Sequence, residues 1–368
     1  MLTTSKHILI FSLAYHPMVG GAEIAVKEIT NRIPDIEFDM VTMCFDKTHK
    51  KKEKIGNVNV YRIGGGLGYV SKILFVPHAA LFALKLHRKN QYDAFWAIMT
   101  NMLFPITLMR FLGNRTPYVL TLQDGDPFEY VFKRLRIRIF LPLLKYGFRR
   151  AAKVQTISNF LAQWARQMGY RGEVEVIPNG VDVERFLNPK SRILNQENVT
   201  LVTTSRLVEK NGVKDIINAL KFLSNVKLKI IGAGPLEREL KLLATNLPVE
   251  FVGFVSQEEI PKYLYNADIF VRPSRSEGMG NSFIEAMAAG IPVIATPVGG
   301  IPDFLKEGET GLFCEVNNPK SIADKVMEYI NNPELTSKII ENARKMVEEK
   351  YDWNFIAKRM KEEIFDKV

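Results

Sequence analysis

The sequence predicts an α/β protein built from two doubly wound parallel sheets, and three observations carry that expectation. Short apolar, β-branched runs alternate with helical or loop segments through both halves of the chain. In each half a strand-like run exits into a glycine turn that opens a helix, at Gly20-Gly21 and again at Gly278-Met279-Gly280. The chain, at 368 residues, is also long enough for two domains of ordinary size.

In the first half, His7 to Leu13 reads as a buried strand, followed by the Gly20-Gly21 loop and a helical run to Ile33. The glycine pair fits a plain turn as well as a loop that lets backbone approach a ligand at the carboxyl edge of a parallel sheet. His16 lies in the same loop and reads as a structural histidine or an acceptor contact. Further strands are expected at Phe38 to Phe45, Val58 to Ile63, Ala94 to Thr100, Tyr118 to Gln123, Lys153 to Ser158 and Glu173 to Pro178. Lys47 to Lys54 reads as a solvated lysine-rich loop, and Ser71 to Leu86 as an apolar helix interrupted at Pro77. Thr121 to Asp126 ends a strand, so Gln123, Asp124 and Asp126 sit at the same carboxyl edge, where turn formation explains the two aspartates equally well.

The net charge of +10 is concentrated. Residues 130 to 172 hold ten lysines and arginines and no acid, from Lys133 to Arg171. Between Lys133 and Arg150 these alternate with Leu and Ile, and helical spacing puts Arg134, Arg138, Lys145 and Arg149 on one side, with Pro142 kinking or restarting the helix. That pattern fits a core helix with a solvated basic face or a surface that meets anionic lipid. Nucleic acid is disfavoured, because the interleaved residues are aliphatic and no nucleic-acid motif is present. No stretch reads as a bilayer span, and the uncharged run Ala94 to Met109, interrupted by Asn101 and Pro105, falls short of roughly 18 apolar residues. No signal peptide is visible, and Cys44 and Cys314 read as buried thiols of a reducing cytoplasm rather than a disulfide or metal framework.

Val176 to Asp182, with its Asn179-Gly180 turn, and Glu184 to Phe186 close the first domain, and Asn188 to Asn198 reads as the linker. The expected division is 1–187, 188–351 and a C-terminal helix in 352–368. In the second half, Val199 to Ser205 is a strand that delivers Arg206 and Lys210 at its carboxyl end, a fork and a point charge suited to a diphosphate. Leu228 to Pro235 is a strand with a glycine exit that lacks the dinucleotide spacing of three glycines. Val249 to Val255 ends at the capping-box pattern Ser256 to Glu259.

The strand Asp268 to Ser274 then leads into Glu277-Gly278-Met279-Gly280-Asn281-Ser282, a helix with Phe283, Ile284 and Met287, and the strand Ile291 to Thr296. A helix starting at Gly280 presents unpaired N–H groups and the positive end of its dipole, a site for a phosphate. Glu277 and Glu285, in Glu-x7-Glu spacing, flank that site. Carboxylates repel phosphate, so as ligands they would take hydroxyls on either side of a diphosphate, as a nucleotide-sugar offers. The spacing alone fits equally a solvated Glu285 and a cap at Glu277.

The Arg206-x-x-x-Lys210 pair, the Gly278 to Ser282 turn and the Glu277-x7-Glu285 motif together resemble the retaining glycosyltransferases of family 4, most closely across the C-terminal half. The resemblance implies the GT-B fold: two Rossmann-like domains facing a cleft, with a C-terminal helix crossing back to the first domain. It implies an Arg206–Lys210 clamp on the donor diphosphate, with Glu277 on the sugar and Glu285 on the ribose. The nucleobase would lie near Phe254 and Val255, and the first domain would contribute Gly20, Gly21, Gln123 and Asn179 to the donor and His16, Asp124 and Asp126 to the acceptor. Gln123 stands where the family usually has a histidine; it can hydrogen-bond a sugar but cannot carry a proton at neutral pH. The expected function is metal-independent, cofactor-free transfer of a sugar to a glycan or glycolipid, in the cytoplasm and at the inner membrane face. The alternatives are a nucleotide-sugar 2-epimerase, which shares fold and donor site, and a non-catalytic nucleotide-sugar-binding partner subunit.

Overall fold

The computed structural model describes residues 5–65, 68–187 and 198–368, apart from the side chains of Tyr69, Leu135 and Arg136. It has two parallel-sheet α/β units, as the resemblance implies. Met1–Asn179 together with Trp353–Val368 form one unit, and Gly180–Asp352 the other. Residues 180–187, which the sequence places at the close of the first domain, therefore fall in the second unit. The reason is local: Val181 N–H bonds to the Tyr351 carbonyl at 2.7 Å, Phe186 is buried, and Tyr265 Oη donates to the Arg185 carbonyl at 2.8 Å. The expected linker lies, but for Asn198, outside the described residues.

The first unit carries eight strands: β1 (Lys6–Phe11), β2 (Ile36–Met43), β3 (Lys52–Ile55), β4 (Val58–Ile63), β5 (Ala94–Ile98), β6 (Tyr118–Leu122), β7 (Lys153–Thr156) and β8 (Val174–Val176). Their order is β3-β4-β2-β1-β5-β6-β7-β8, parallel throughout except that β3 runs antiparallel to β4. β3 corrects the reading of Lys47 to Lys54 as plain loop. Lys52 and Lys54 point to solvent from an edge strand while Glu53 pairs with the buried Arg62, so the lysines that suggested a loop are edge protection.

Helix α1 (Gly21–Asn31) follows the first glycine loop, and α2 (Tyr69–Asn90) carries Pro77 without interruption. Because it is continuous, its stretch Val70–Asn90 is long and apolar enough to cross a membrane by length and composition, which the sequence reading, broken at Pro77, did not find. One face of α2 is buried in the unit through Phe75, Ala79, Ala80 and Ala83. In Lys133 to Arg150 the helix restarts at Pro142, the second of the two readings of that proline. The segment comprises the short turn Leu135–Arg138 and the helix Leu141–Arg150, which Pro142 starts at its first turn, and Arg134 is extended with its guanidinium 3.1 Å from the Tyr130 ring centroid. The four basic residues therefore do not share one helical face.

The core of the first unit takes in Ile8, Ile10, Phe38, Met40, Val60 and Trp96 and, from the chain's end, Trp353, Ile356, Ala357, Met360, Ile364 and Phe365. The Phe365 ring stands 4.9 Å from Trp96 and 5.9 Å from Phe38. Apolar residues at helical spacing in the tail are thus buried in the first unit's core, each worth about 1.5–3 kcal/mol when fully removed from water.

The second unit has six parallel strands: β9 (Val199–Thr204), β10 (Val226–Ile231), β11 (Val249–Gly253), β12 (Ile269–Arg272), β13 (Val293–Ala295) and β14 (Leu312–Phe313), in the order β11-β10-β9-β12-β13-β14. The order reverses direction at β9, with β10 on one side and β12 on the other, and the loops leaving β9 and β12 open at this switch point. Cys44 and Cys314 are both buried free thiols.

Candidate active site

In the second unit the loops leaving β9, β11 and β12 carry the residues singled out from the sequence. β12 ends at Arg272, and after a turn the helix Asn281–Ala288 begins with Gly280 as its N-cap. Gly280 has φ +91, and a side chain there would run into the Phe283 ring; this is the left-handed position a glycine must fill for the helix to start here. Phe283, Ile284, Ala286, Met287 and Ala288 face the core. Asn281, Ser282 and Glu285 are the positions of this helix left partly exposed, so the face that meets solvent is made of residues expected to meet the donor. Gly278 and Met279 are buried, and what they can offer a ligand is backbone.

Glu277 is buried in the turn before the helix. One carboxylate oxygen pairs with Arg272, and the other accepts the Gly278 N–H at 3.1 Å. Arg272 also donates to Ser282 Oγ at 2.6 Å. Burial pushes the Glu285 carboxyl above its ordinary value, against the pull of Arg185 and Arg272 and a hydrogen bond with Gln257. Gln257 lies two residues beyond Val255, so the turn after β11 reaches Glu285. Phe254, at the head of that turn, is 81% exposed, a bare aromatic surface.

The β9 exit holds Arg206, exposed, and Lys210, partly exposed. It is fastened to the β12 exit by the Arg275 N–H, which donates to the Lys210 carbonyl at 2.7 Å, and by the Arg275 guanidinium, which pairs with Glu209 and, at 3.4 Å, Asp215. The two motifs, distant in sequence, are neighbours by backbone contact. The segment after β13 closes the turn from the other side: Gly300 N–H donates to the Glu277 carbonyl at 3.1 Å.

In the first unit, Gln123 and Asn179 meet at the carboxyl edge, Asn179 Nδ2 donating to Gln123 Oε1 at 3.2 Å. Asp124 is buried beside them in sequence, and Asp126 is partly exposed. Gly20 and Gly21 are exposed, and Gly20 caps α1, its N–H bonded to Glu23 at 2.8 Å. His16 is partly exposed with its carbonyl held by Arg62 at 2.6 Å; burial and Lys27 lower its pKa, favouring the neutral ring. The sequence did not single out Arg272, Arg185, Gln257 or Arg275. The available signal was Arg272, a cation closing an otherwise apolar strand.

Residues 19–185 match the family model Glycosyltransferase Family 4, and residues 184–346 match Glycosyl transferases group 1. The chain is a glycosyltransferase of the family 4 type. An uncharacterized glycosyltransferase of Methanocaldococcus jannaschii is 28% identical to it over 349 residues, 92% of each chain. A GDP-mannose-dependent alpha-(1-6)-phosphatidylinositol monomannoside mannosyltransferase of Mycobacterium tuberculosis is 29% identical over 247 residues, 60% of this chain and 64% of that one. The Anabaena protein HepE in complex with UDP-glucose has the same fold, with a TM-score of 0.79 at 23% identity over 98% of this glycosyltransferase and 99% of HepE.

Proposed function

We propose that this glycosyltransferase is retaining and moves a sugar from a nucleotide-sugar to a glycan or lipid-linked acceptor. The observation that carries the donor assignment is the hydrogen bond from Arg275 N–H to the Lys210 carbonyl, which sets the two cations beside the Glu277 turn and the start of the Asn281–Ala288 helix. The diphosphate would lie over Gly280 to Ser282, between the helix N–H groups and the Arg206–Lys210 pair. As the C1–O bond breaks, negative charge grows on the leaving diphosphate, and fixed donors of this kind are worth several kcal/mol in that state. The acceptor oxygen would bond to C1 on the same face, its proton passing to the departing phosphate oxygen. Glu277 would take sugar hydroxyls, Glu285 the ribose hydroxyls, and Phe254 and Val255 the base.

The cations already neutralise the diphosphate and no Asp-x-Asp stands at a strand end in 188–351, so no divalent ion is required in this scheme. Thermal unfolding against UDP-, GDP- and ADP-sugars tests the reading, since a ligand at about 100 times its Kd adds about 2.7 kcal/mol. With the stabilising donor, a glycoside of unchanged anomeric configuration is expected, formed equally in EDTA. An epimerised donor as product would favour the 2-epimerase, and binding without turnover the partner subunit. Activity lost in EDTA and restored by magnesium or manganese would overturn metal independence.

The acceptor, in this reading, is presented at an anionic membrane surface in the cytoplasm. The mycobacterial relative is named for a phosphatidylinositol mannoside acceptor, a membrane lipid. In the first unit α2, the helix Leu103–Phe111 and the helix Leu141–Arg150 pack in succession and leave Ile73, Leu74, Leu81, Phe111 and Phe140 exposed, with Ile139 75% exposed, beside exposed Arg138, Arg149 and Arg150. Each basic residue near an anionic bilayer adds about 1 kcal/mol, an attraction that fades beyond a Debye length of about 8 Å at physiological salt. The protein should sediment with anionic vesicles at low salt, and Ile139→Glu with Arg138→Gln and Arg149→Gln should release it with donor affinity unchanged. Wild type that ignores such vesicles would point to a soluble acceptor.

A further inference from the structure

Arg272 closes a strand whose preceding residues, Ile269, Phe270 and Val271, are fully buried, and it is itself only 9% exposed. A guanidinium in that position is costly unless every charge is answered, and a methionine or leucine would fill the space without that cost. What Arg272 does there is bridge. One terminal nitrogen pairs with Glu277 and the other donates to Ser282 Oγ at 2.6 Å, while the guanidinium carbon lies 5.1 Å from the centroid of the Phe283 ring. Phe283 is in turn fixed between Phe270 at 5.6 Å and Phe304 at 5.7 Å.

We infer that Arg272 is the positioning residue of the donor site, orienting the Glu277 carboxylate and the Ser282 hydroxyl together from beneath. This rests on the donor site proposed above. The chemistry follows from donor and acceptor counts. Glu277 is gripped at one oxygen by Arg272 and at the other by Gly278 N–H, so its remaining lone pairs have fixed directions and can only accept, which suits sugar hydroxyls. Ser282 Oγ accepts from Arg272, which leaves its own O–H to donate outward, toward an anion over the helix start. Only a planar fork reaches both groups at once; a lysine offers one point charge.

The test uses the full chain and the nucleotide-sugar that the wild type turns over. Arg272→Met should lower kcat about 10²-fold while Kd for the free nucleoside diphosphate changes less than about threefold, because the Arg206–Lys210 pair is untouched. In a Glu277→Gln background the same substitution should cost no more than about tenfold, the part carried through Ser282, since the carboxylate it also orients is already neutral. Arg272→Lys should lie between wild type and Arg272→Met, and it carries the same cycle with Glu277→Gln where the methionine variant does not fold. Near-normal kcat in Arg272→Met, or losses that multiply in the double variant, overturns the positioning role while leaving the donor site intact. Wild type that neither binds nor turns over any nucleotide-sugar overturns the donor site and this role with it.

Discussion

Arg206→Ala and Lys210→Ala should each lower turnover by about 10²- to 10³-fold, with melting temperatures close to wild type. Those factors correspond to about 3–4 kcal/mol of lost transition-state stabilisation, the scale set by removing one fixed donor from a developing oxyanion. Stability should be spared for a structural reason. Arg206 is exposed, and several contacts that fasten this loop use neither side chain: the Lys210 carbonyl accepts from Arg275 N–H, the Arg206 carbonyl accepts from Asn211 Nδ2 at 2.6 Å, and the Arg275 guanidinium pairs with Glu209 and Asp215. Alanine keeps both carbonyls. Activity and folding are therefore expected to separate in these variants. Steady-state kinetics alongside thermal melting checks it, and near-wild-type turnover in both would remove the clamp from the mechanism.

Gly299→Ala is expected to do the opposite, damaging the site through the fold. Gly299 has φ +58, and a Cβ there would overlap the carbonyl of Glu277, the same carbonyl that accepts Gly300 N–H at 3.1 Å. Left-handed backbone and backbone overlap act together, so a cost of about 2–3 kcal/mol is expected. For a unit of this size that is a fall of roughly 4–12 °C in Tm. Donor affinity should drop even where the variant remains folded, because relieving the overlap moves the Glu277 turn. An alanine variant that melts with wild type and binds donor normally would show that Glu277 is not held from this side.

The strands of the described residues and the candidate site were legible to different degrees. Buried parallel strands such as Ile8 to Phe11 and Val293 to Ala295 are apolar along their length because both faces are covered, so sequence alone marks them. The edge strand Lys52–Ile55 was not legible, since an exposed edge carries lysines for protection and looks like loop. The restart of the helix at Pro142 was legible as one of two readings of a proline, whereas continuity of α2 through Pro77 depends on what packs alongside.

By itself the sequence determined the alternating strands and helices and the glycine turn that starts a helix at Gly280, and it singled out Arg206, Lys210, Glu277 and Glu285 as candidates, because these depend on local spacing and residue chemistry. Only the tertiary structure decided that the β9 and β12 exits touch through Arg275 and Lys210, that Arg272 grips Glu277 and Ser282, and that residues 180–187 belong with the second unit. Those facts depend on which strands pair across long stretches of chain and on which charges burial forces to find partners. Neither is carried by the neighbours of a residue in sequence.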